Sequence, residues 1–359
     1  MMLFDAFTAR SLTLKNRAVM APLTRSRAVD ANTPNVLMAQ YYGQRASAGL
    51  IITEGTSPSP NGLGYPRIPA LYNRTHVEGW KLVTSEVHAR GGKIFVQLMH
   101  SGRVGHEANL PAGGALMGPT AEPCPGEMYT DSKGLQPNGV PRAMTQADIH
   151  HAIAEFTTSA RLAMEAGFDG IELHGANGYL IEQFLNPIVN QRTDAYGQGI
   201  EGRNRVAIDV ARAAADAIGS DRVGIRLSPY GVFNGTGAFP EVEAQYFALT
   251  RELSALNLLY VHLIDHSSLG APPVPADFKV RLRQAFSGSF ILAGGFDRTL
   301  AEAALQADHG DLIAFGRAFL ANPDLVERMR RGAALNEPDP ATFYTPGAHG
   351  YTDYPALTS

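Results

Sequence analysis

The chain has 359 residues, one cysteine and a formal charge of −4 from 30 basic and 34 acidic side chains. Hydrophobic residues make up 45% and charged residues 18%, a globular balance that excludes a disordered chain. The lone Cys124 excludes an internal disulfide and a cysteine-held zinc or iron–sulfur centre, and the lack of a basic run argues against nucleic acid as a partner.

The first residues, from Met1 to Phe7, show no charged stretch leading into a long apolar one. No run reaches the roughly 18 apolar residues of a membrane span. A cytoplasmic protein without a membrane partner is expected. Residues 3–14 read as a short hairpin. Eight Val- and Ile-rich apolar runs follow, at 17–22, 50–54, 93–98, 170–174, 222–227, 258–263, 290–294 and 311–316. Runs that are apolar throughout suit strands covered on both faces, as in a parallel sheet.

Helical signals lie between the runs. Thr33-Pro34 has the form of a helix start with proline at the first helical position, and Gly49 reads as the end of that helix. Thr75 and Glu78 have the spacing of a capping box, with Trp80, Val83 and Val87 on one face up to Gly91-Gly92. Thr145 opens a long segment that stops at Gly167. Further helices are read near 201–218, 241–256, 277–286, 299–307 and 322–333. Residues 104–144 are rich in Gly and Pro and break the rhythm, which reads as a capping loop after the third strand. Eight strand–helix units predict one (β/α)8 TIM-barrel domain over 1–359, closed below by the hairpin. A doubly wound sheet is the alternative, but no glycine-rich fingerprint follows the first run.

In such a barrel the chemistry belongs at the C-terminal ends of the strands. None of the five lysines lies there, so a Schiff-base aldolase is disfavoured. No His-x-His pair or His-Glu-x-x-His occurs, so no metal site is expected. Glu54 and Glu172 could form a glycosidase pair. The last two strands end in Gly294-Gly295 and Gly316-Arg317, where backbone N–H groups and one arginine suit a phosphate or form tight turns.

Several motifs together resemble the Old Yellow Enzyme family of FMN-dependent ene reductases. They are Met20-Ala21-Pro22-Leu23-Thr24-Arg25, Val96-Gln97-Leu98-Met99-His100-Ser101-Gly102-Arg103 and His174-Gly175-Ala176-Asn177-Gly178-Tyr179-Leu180. Gln191 to Gly197 and the terminal Gly350-Tyr351-Thr352-Asp353-Tyr354-Pro355 fit as well. The similarity runs from about residue 2 to 357 and is closest to the bacterial branch with N-ethylmaleimide reductase and pentaerythritol tetranitrate reductase.

The resemblance implies a tightly bound FMN and a visiting NAD(P)H as hydride donor. It assigns Pro22, Leu23, Thr24, Gly55, Gln97 and Arg226 to the flavin ring, and Ala293, Gly294, Gly295, Gly316 and Arg317 to its phosphate end. His174 and Asn177 would hold the electron-withdrawing oxygen of an activated alkene. Tyr179 would protonate Cα after hydride reaches Cβ. Tyr65, Met99 and Tyr351 would line the substrate pocket. Met99 stands where close bacterial relatives usually carry tryptophan, which should enlarge or soften the pocket. The implied substrates are enones, maleimides and nitroalkenes, with nitrate esters or nitroaromatics as the alternative. A monomer is the default expectation, with a dimer as the other. A non-catalytic flavin carrier is the remaining rival.

Overall fold

The computed structural model describes residues 2–358. A hairpin of β1 (Phe7–Ala9) and β2 (Leu12–Leu14) comes first, followed by β3 (Ala18–Met20), α1 (Val36–Gln44), β4 (Leu50–Thr56), α2 (Arg74–Ala89) and β5 (Ile94–Leu98). The expected excursion follows and holds β6 (Met117–Gly118), β7 (Glu127–Thr130), β8 (Gly134–Pro137) and β9 (Arg142–Ala143). The rhythm resumes with α3 (Gln146–Glu165), β10 (Gly170–Gly175), α4 (Leu180–Leu185), α5 (Gly199–Ile218), β11 (Val223–Leu227) and α6 (Val242–Ala255). It ends with β12 (Tyr260–Ile264), α7 (Ala276–Ala285), β13 (Ser289–Ala293), α8 (Arg298–Gln306), β14 (Leu312–Phe315), α9 (Arg317–Ala321) and α10 (Leu325–Arg331).

Eight parallel strands close into a barrel in the order β3, β4, β5, β10, β11, β12, β13, β14, with β14 returning to β3 through Ile313–Ala18 and Phe315–Met20. Every residue of these eight strands is buried, which is why the eight runs are apolar throughout. This is the (β/α)8 TIM barrel that the rhythm predicts. The hairpin sits at the opposite end from the strand C-termini. Its Ala9, Leu12 and Leu14 join a buried cluster with Val19, Leu50, Leu259 and Leu312, near the starts of their strands. No helix among the described residues is long and apolar enough to cross a membrane.

Local chemistry moves several element ends away from their expected positions. Thr33 does not cap α1. Its backbone is held to Val29 in both directions, in an extended bridge. Asn35 caps instead, its Oδ1 accepting from the N–H groups of Leu37 and Met38 at 2.9 and 3.1 Å. Nor does Gly49 end that helix. It lies immediately before β4, where a Cβ would stand 2.0 Å from the Asn16 carbonyl oxygen. Asn73, not Thr75, caps α2. The expectation at Thr145 holds, with a full capping box to Asp148. The helix expected at 322–333 is the shorter α10, and α9 is a separate, unexpected helix just before it. Asn322 is extended because Pro323 follows it, and the helix has to restart.

One irregularity bears on function. The pairing of β4 with β5 shifts register between Ile52 and Gly55, so Gly55 lies opposite Gln97. Thr53 Oγ1 within that bulge accepts the N–H of Gln97 at 3.1 Å. Bulges at barrel rims re-aim side chains, and both Gly55 and Gln97 end up facing one cavity. The cap assignment is testable by denaturant unfolding. Asn35→Ala should cost about 1 kcal/mol of stability, whereas Thr33→Ala should stay within about 0.5 kcal/mol.

Candidate active site

The C-terminal rim of the barrel surrounds a cavity of about 630 Å³. Pro22, Leu23 and Thr24 reach it from the segment after β3, and Gly55 from the bulge of β4. Gln97 and Met99 come from the end of β5, His174 from β10 and Arg226 from β11. Ala293, Gly294 and Gly295 follow along the end of β13, and Gly316 and Arg317 close the ring after β14. Asn177, Tyr179 and Tyr65 stand on loops above. Of the site residues expected from sequence, all but Tyr351 line this one cavity.

The floor is a polar network inside the barrel. Glu172 and His262 are wholly buried, with His262 Nδ1 2.8 Å from Glu172 Oε2. Gln97 Nε2 donates to the other oxygen of Glu172 at 2.8 Å. Burial holds His262 neutral by pushing its pKa down, so Nδ1 carries the proton and Nε2 is left without a partner among the described residues. Beside them lies the buried guanidinium of Arg226. Its Nε has no partner among the described residues. Burial lowers its pKa, but a guanidinium starts so high that it keeps its charge. A buried cation with an unused donor calls for an electron-rich ligand.

At the β13–β14 side the backbone is shaped for close approach. Gly294 has φ 122°, and a Cβ there would stand 2.0 Å from the Asp265 carbonyl oxygen. Gly295 also has positive φ. Arg317 is exposed at the rim, and its side chain makes no hydrogen bond or ion pair among the described residues. Glycine backbone plus a free guanidinium suits a phosphate.

The opposite wall holds the groups able to act on a substrate. His174 Nδ1 accepts from the N–H of Ala176 at 3.3 Å, so the Nε2–H is the ring's donor. Burial, then the positive charge of Arg226, hold His174 well below the usual histidine range, and it is neutral at pH 7. Its ring meets Tyr179 edge-on, with centroids 4.8 Å apart. The hydroxyl of Tyr179 is 3.1 Å from that of Tyr65. Burial pushes the Tyr179 phenol up to about 12, which keeps it protonated. Asn177 adopts the left-handed conformation, with φ 59°, which asparagine tolerates better than most residues. Its N–H donates to Ser228 Oγ at 2.9 Å and its carbonyl accepts from Asn234 Nδ2 at 2.7 Å.

Tyr351 is a correction. It is wholly buried, stacked on Tyr41 with centroids 4.0 Å apart, and has the guanidinium groups of Arg25 and Arg27 near its ring. It does not line the cavity. Phe343 and Tyr344 of the same terminal segment do. Sequence reasoning missed those two, along with Phe233, Asn234 and His266 on other loops. No spacing marks them, because loop paths set their positions. The glycosidase alternative also loses its geometry. Glu54 is buried outside the cavity lining and accepts from the N–H groups of Arg25 and Ser26 and from the Tyr42 hydroxyl.

Glycine backbone and a guanidinium at the rim, a buried cation in the floor and neutral donors on the facing wall are an arrangement that suits a flavin-dependent oxidoreductase. The comparisons agree. The model of the NADH:flavin oxidoreductase / NADH oxidase family matches residues 2–336, and the chain belongs to that family, the one its motifs resemble. It is 38% identical to 12-oxophytodienoate reductase 7 of Oryza sativa subsp. japonica, over 99% of this chain and 94% of that one. It is 41% identical to a probable flavin mononucleotide-dependent alkene reductase of Leishmania infantum, over 96% and 94%. Among solved structures, morphinone reductase matches with a TM-score of 0.95 at 44% identity, covering 99% of this chain and 96% of that one. An Old Yellow Enzyme homologue from Zymomonas mobilis matches with a TM-score of 0.95 at 37% identity, covering 99% and 100%. The cofactor is FMN, and the chain is an FMN-dependent alkene oxidoreductase of the Old Yellow Enzyme type.

The place of Tyr351 gives a stability prediction. Tyr351→Ala should cost about 3–5 kcal/mol in denaturant unfolding, the loss expected for a large buried ring. Tyr351→Phe should be close to neutral, because the hydroxyl is buried without a partner among the described residues.

Proposed function

We propose that the protein reduces electron-poor alkenes such as enones, maleimides and nitroalkenes with NAD(P)H. The observation that supports this most is the pairing of two neutral donor groups, His174 and Asn177, with a protonated phenol, Tyr179, around one cavity. The hydride for the substrate's β-carbon would come from the nicotinamide by way of an FMN held in this cavity. The remaining work falls to the chain. The His174 Nε2–H and the Asn177 amide hold the substrate's carbonyl or nitro oxygen and stabilise the negative charge that grows on it. Tyr179 gives its proton to the α-carbon. The phenolate left behind sits beside the Tyr65 hydroxyl and within the field of Arg226, both of which lower the cost of that charge. Solvent then returns the proton.

Gln97 reaches the same cavity with one amide donor committed to Glu172, which fixes its orientation and leaves its other donor and its oxygen for the flavin's pyrimidine edge. The Thr24 hydroxyl is assigned to the flavin ring, and the Gly294–Gly295 and Gly316–Arg317 pairs to its phosphate. Met99 lies against Gly55, where a Cβ would stand 2.5 Å from its sulfur. A flexible thioether at that wall should admit bulkier substrates than a flat ring would.

Tyr179→Phe is the direct test. Turnover of 2-cyclohexenone should fall by roughly 10²–10⁴-fold, the span usual for loss of a general acid. Flavin content and the rate of reduction by NADPH should be unchanged. Turnover equal to the wild type would remove Tyr179 from the mechanism.

A further inference from the structure

Glu182 lies on α4, three residues after Tyr179. It is 1% exposed and does not line the cavity. Among the described residues no arginine, lysine or histidine forms an ion pair with it. Its carboxylate instead collects three neutral donors. Oε2 accepts the N–H of Gly178 at 2.5 Å. Oε1 accepts the hydroxyl of Ser228 at 2.7 Å, from just past β11, and that of Tyr246 at 3.0 Å, from α6. Ser228 in turn accepts the N–H of Asn177.

Two consecutive amides therefore end on one carboxylate, that of Gly178 directly and that of Asn177 through Ser228. These two residues form the left-handed turn, with φ 59° and 75°. The turn is wedged from its other side, since a Cβ on Gly178 would stand 2.6 Å from the Phe233 carbonyl oxygen. It sets the direction of the Asn177 amide and delivers the chain to Tyr179, the residue that precedes α4. A left-handed asparagine persists only where its surroundings over-determine it. A carboxylate receiving charge-assisted bonds is a strong way to do so.

We propose that Glu182 is a positioning residue: its carboxylate holds the Asn177–Gly178 turn so that the Asn177 amide and the Tyr179 phenol converge on one substrate. This inference rests on the alkene-reduction reading of the site. The burial of Glu182 adds a consequence. Burial pushes its carboxyl up to about 7, against the three hydrogen bonds that pull it down. The groups facing it are the Gly178 N–H from its own segment, Ser228 after β11 and Tyr246 on α6, and burial keeps Tyr246 neutral. A raised carboxyl is ionised above its pKa and protonated below it. Once protonated it must donate one bond, so it can no longer accept from all three donors with full charge. The turn is held best above pH 7 and loosens below it.

The test measures the dissociation constant of 2-cyclohexenone for the oxidised FMN holoenzyme, read from the flavin absorbance, from about pH 6 to about pH 8.5. Wild type should bind several-fold more weakly on the acid side of about 7. Glu182→Gln should bind roughly tenfold more weakly at alkaline pH and lose the pH dependence. Ser228→Ala should weaken binding by a smaller factor and keep that dependence. FMN content should match wild type in both. Glu182→Gln with wild-type affinity, or with the inflection intact, would overturn the proposal. If that variant does not fold, Ser228→Ala decides, and affinity within about twofold of wild type overturns it. A wild type that binds the enone without ever reducing it sinks the alkene-reduction reading instead and leaves the positioning test standing.

Discussion

A buried positive charge organises the top of this barrel. Arg226 projects from β11 into a site where solvent cannot screen it, and its charge adds to burial in setting the protonation states of its neighbours. His174, His262 and His266 are all pushed below the ordinary histidine range, by burial in every case and by the Arg226 charge in addition. The inner end of the cavity thus holds the buried Arg226 cation beside neutral imidazoles, with Arg317 out at the rim. That division would suit a ring that gains negative charge on reduction, as proposed for the bound FMN. Neutral donors stabilise charge mainly as it develops, which is what lowers a barrier.

A second group of arginines builds the wall that the barrel itself does not supply. Arg25 reaches the carbonyls of Phe343 and Gly350 at 3.1 and 2.7 Å, and Arg27 reaches those of Phe343 and Thr342 at 2.6 and 2.8 Å. Arg45 holds Phe319 and Leu320 from below. The Tyr41–Tyr351 stack fills the space between these cations, and Glu54 receives the backbone of Arg25 and Ser26. Buried guanidinium groups are tolerated here because backbone carbonyls and aromatic faces satisfy them. The result is a C-terminal strap that brings Phe343 and Tyr344 to the cavity mouth. Tyr351 therefore serves the site from a distance, by packing.

The barrel was legible because each strand is covered on both faces and reads as an unbroken apolar run. Strand positions came out within about two residues for that reason. Helix starts were less legible. Thr33 and Thr75 look like caps in isolation, but the choice of Asn35 and Asn73 depends on where the preceding chain is pinned. The rim residues were legible through motif order, and His174, Asn177 and Tyr179 share one short stretch. Phe233, Asn234, His266, Phe343 and Tyr344 were not, since they arrive on loops whose paths are set by tertiary bonds. The bulge at Thr53–Glu54 was hidden too, because an extra residue in an apolar strand leaves no trace in its pattern.

The most direct test of the account is the visible spectrum of the purified protein, recorded anaerobically, then after NADPH, then after 2-cyclohexenone. The account predicts a yellow protein that bleaches with the nicotinamide and regains its colour with the enone. A protein that stays colourless after incubation with FMN would contradict the reading of the cavity. One that bleaches and is never reoxidised by an enone would contradict the roles given to His174, Asn177 and Tyr179.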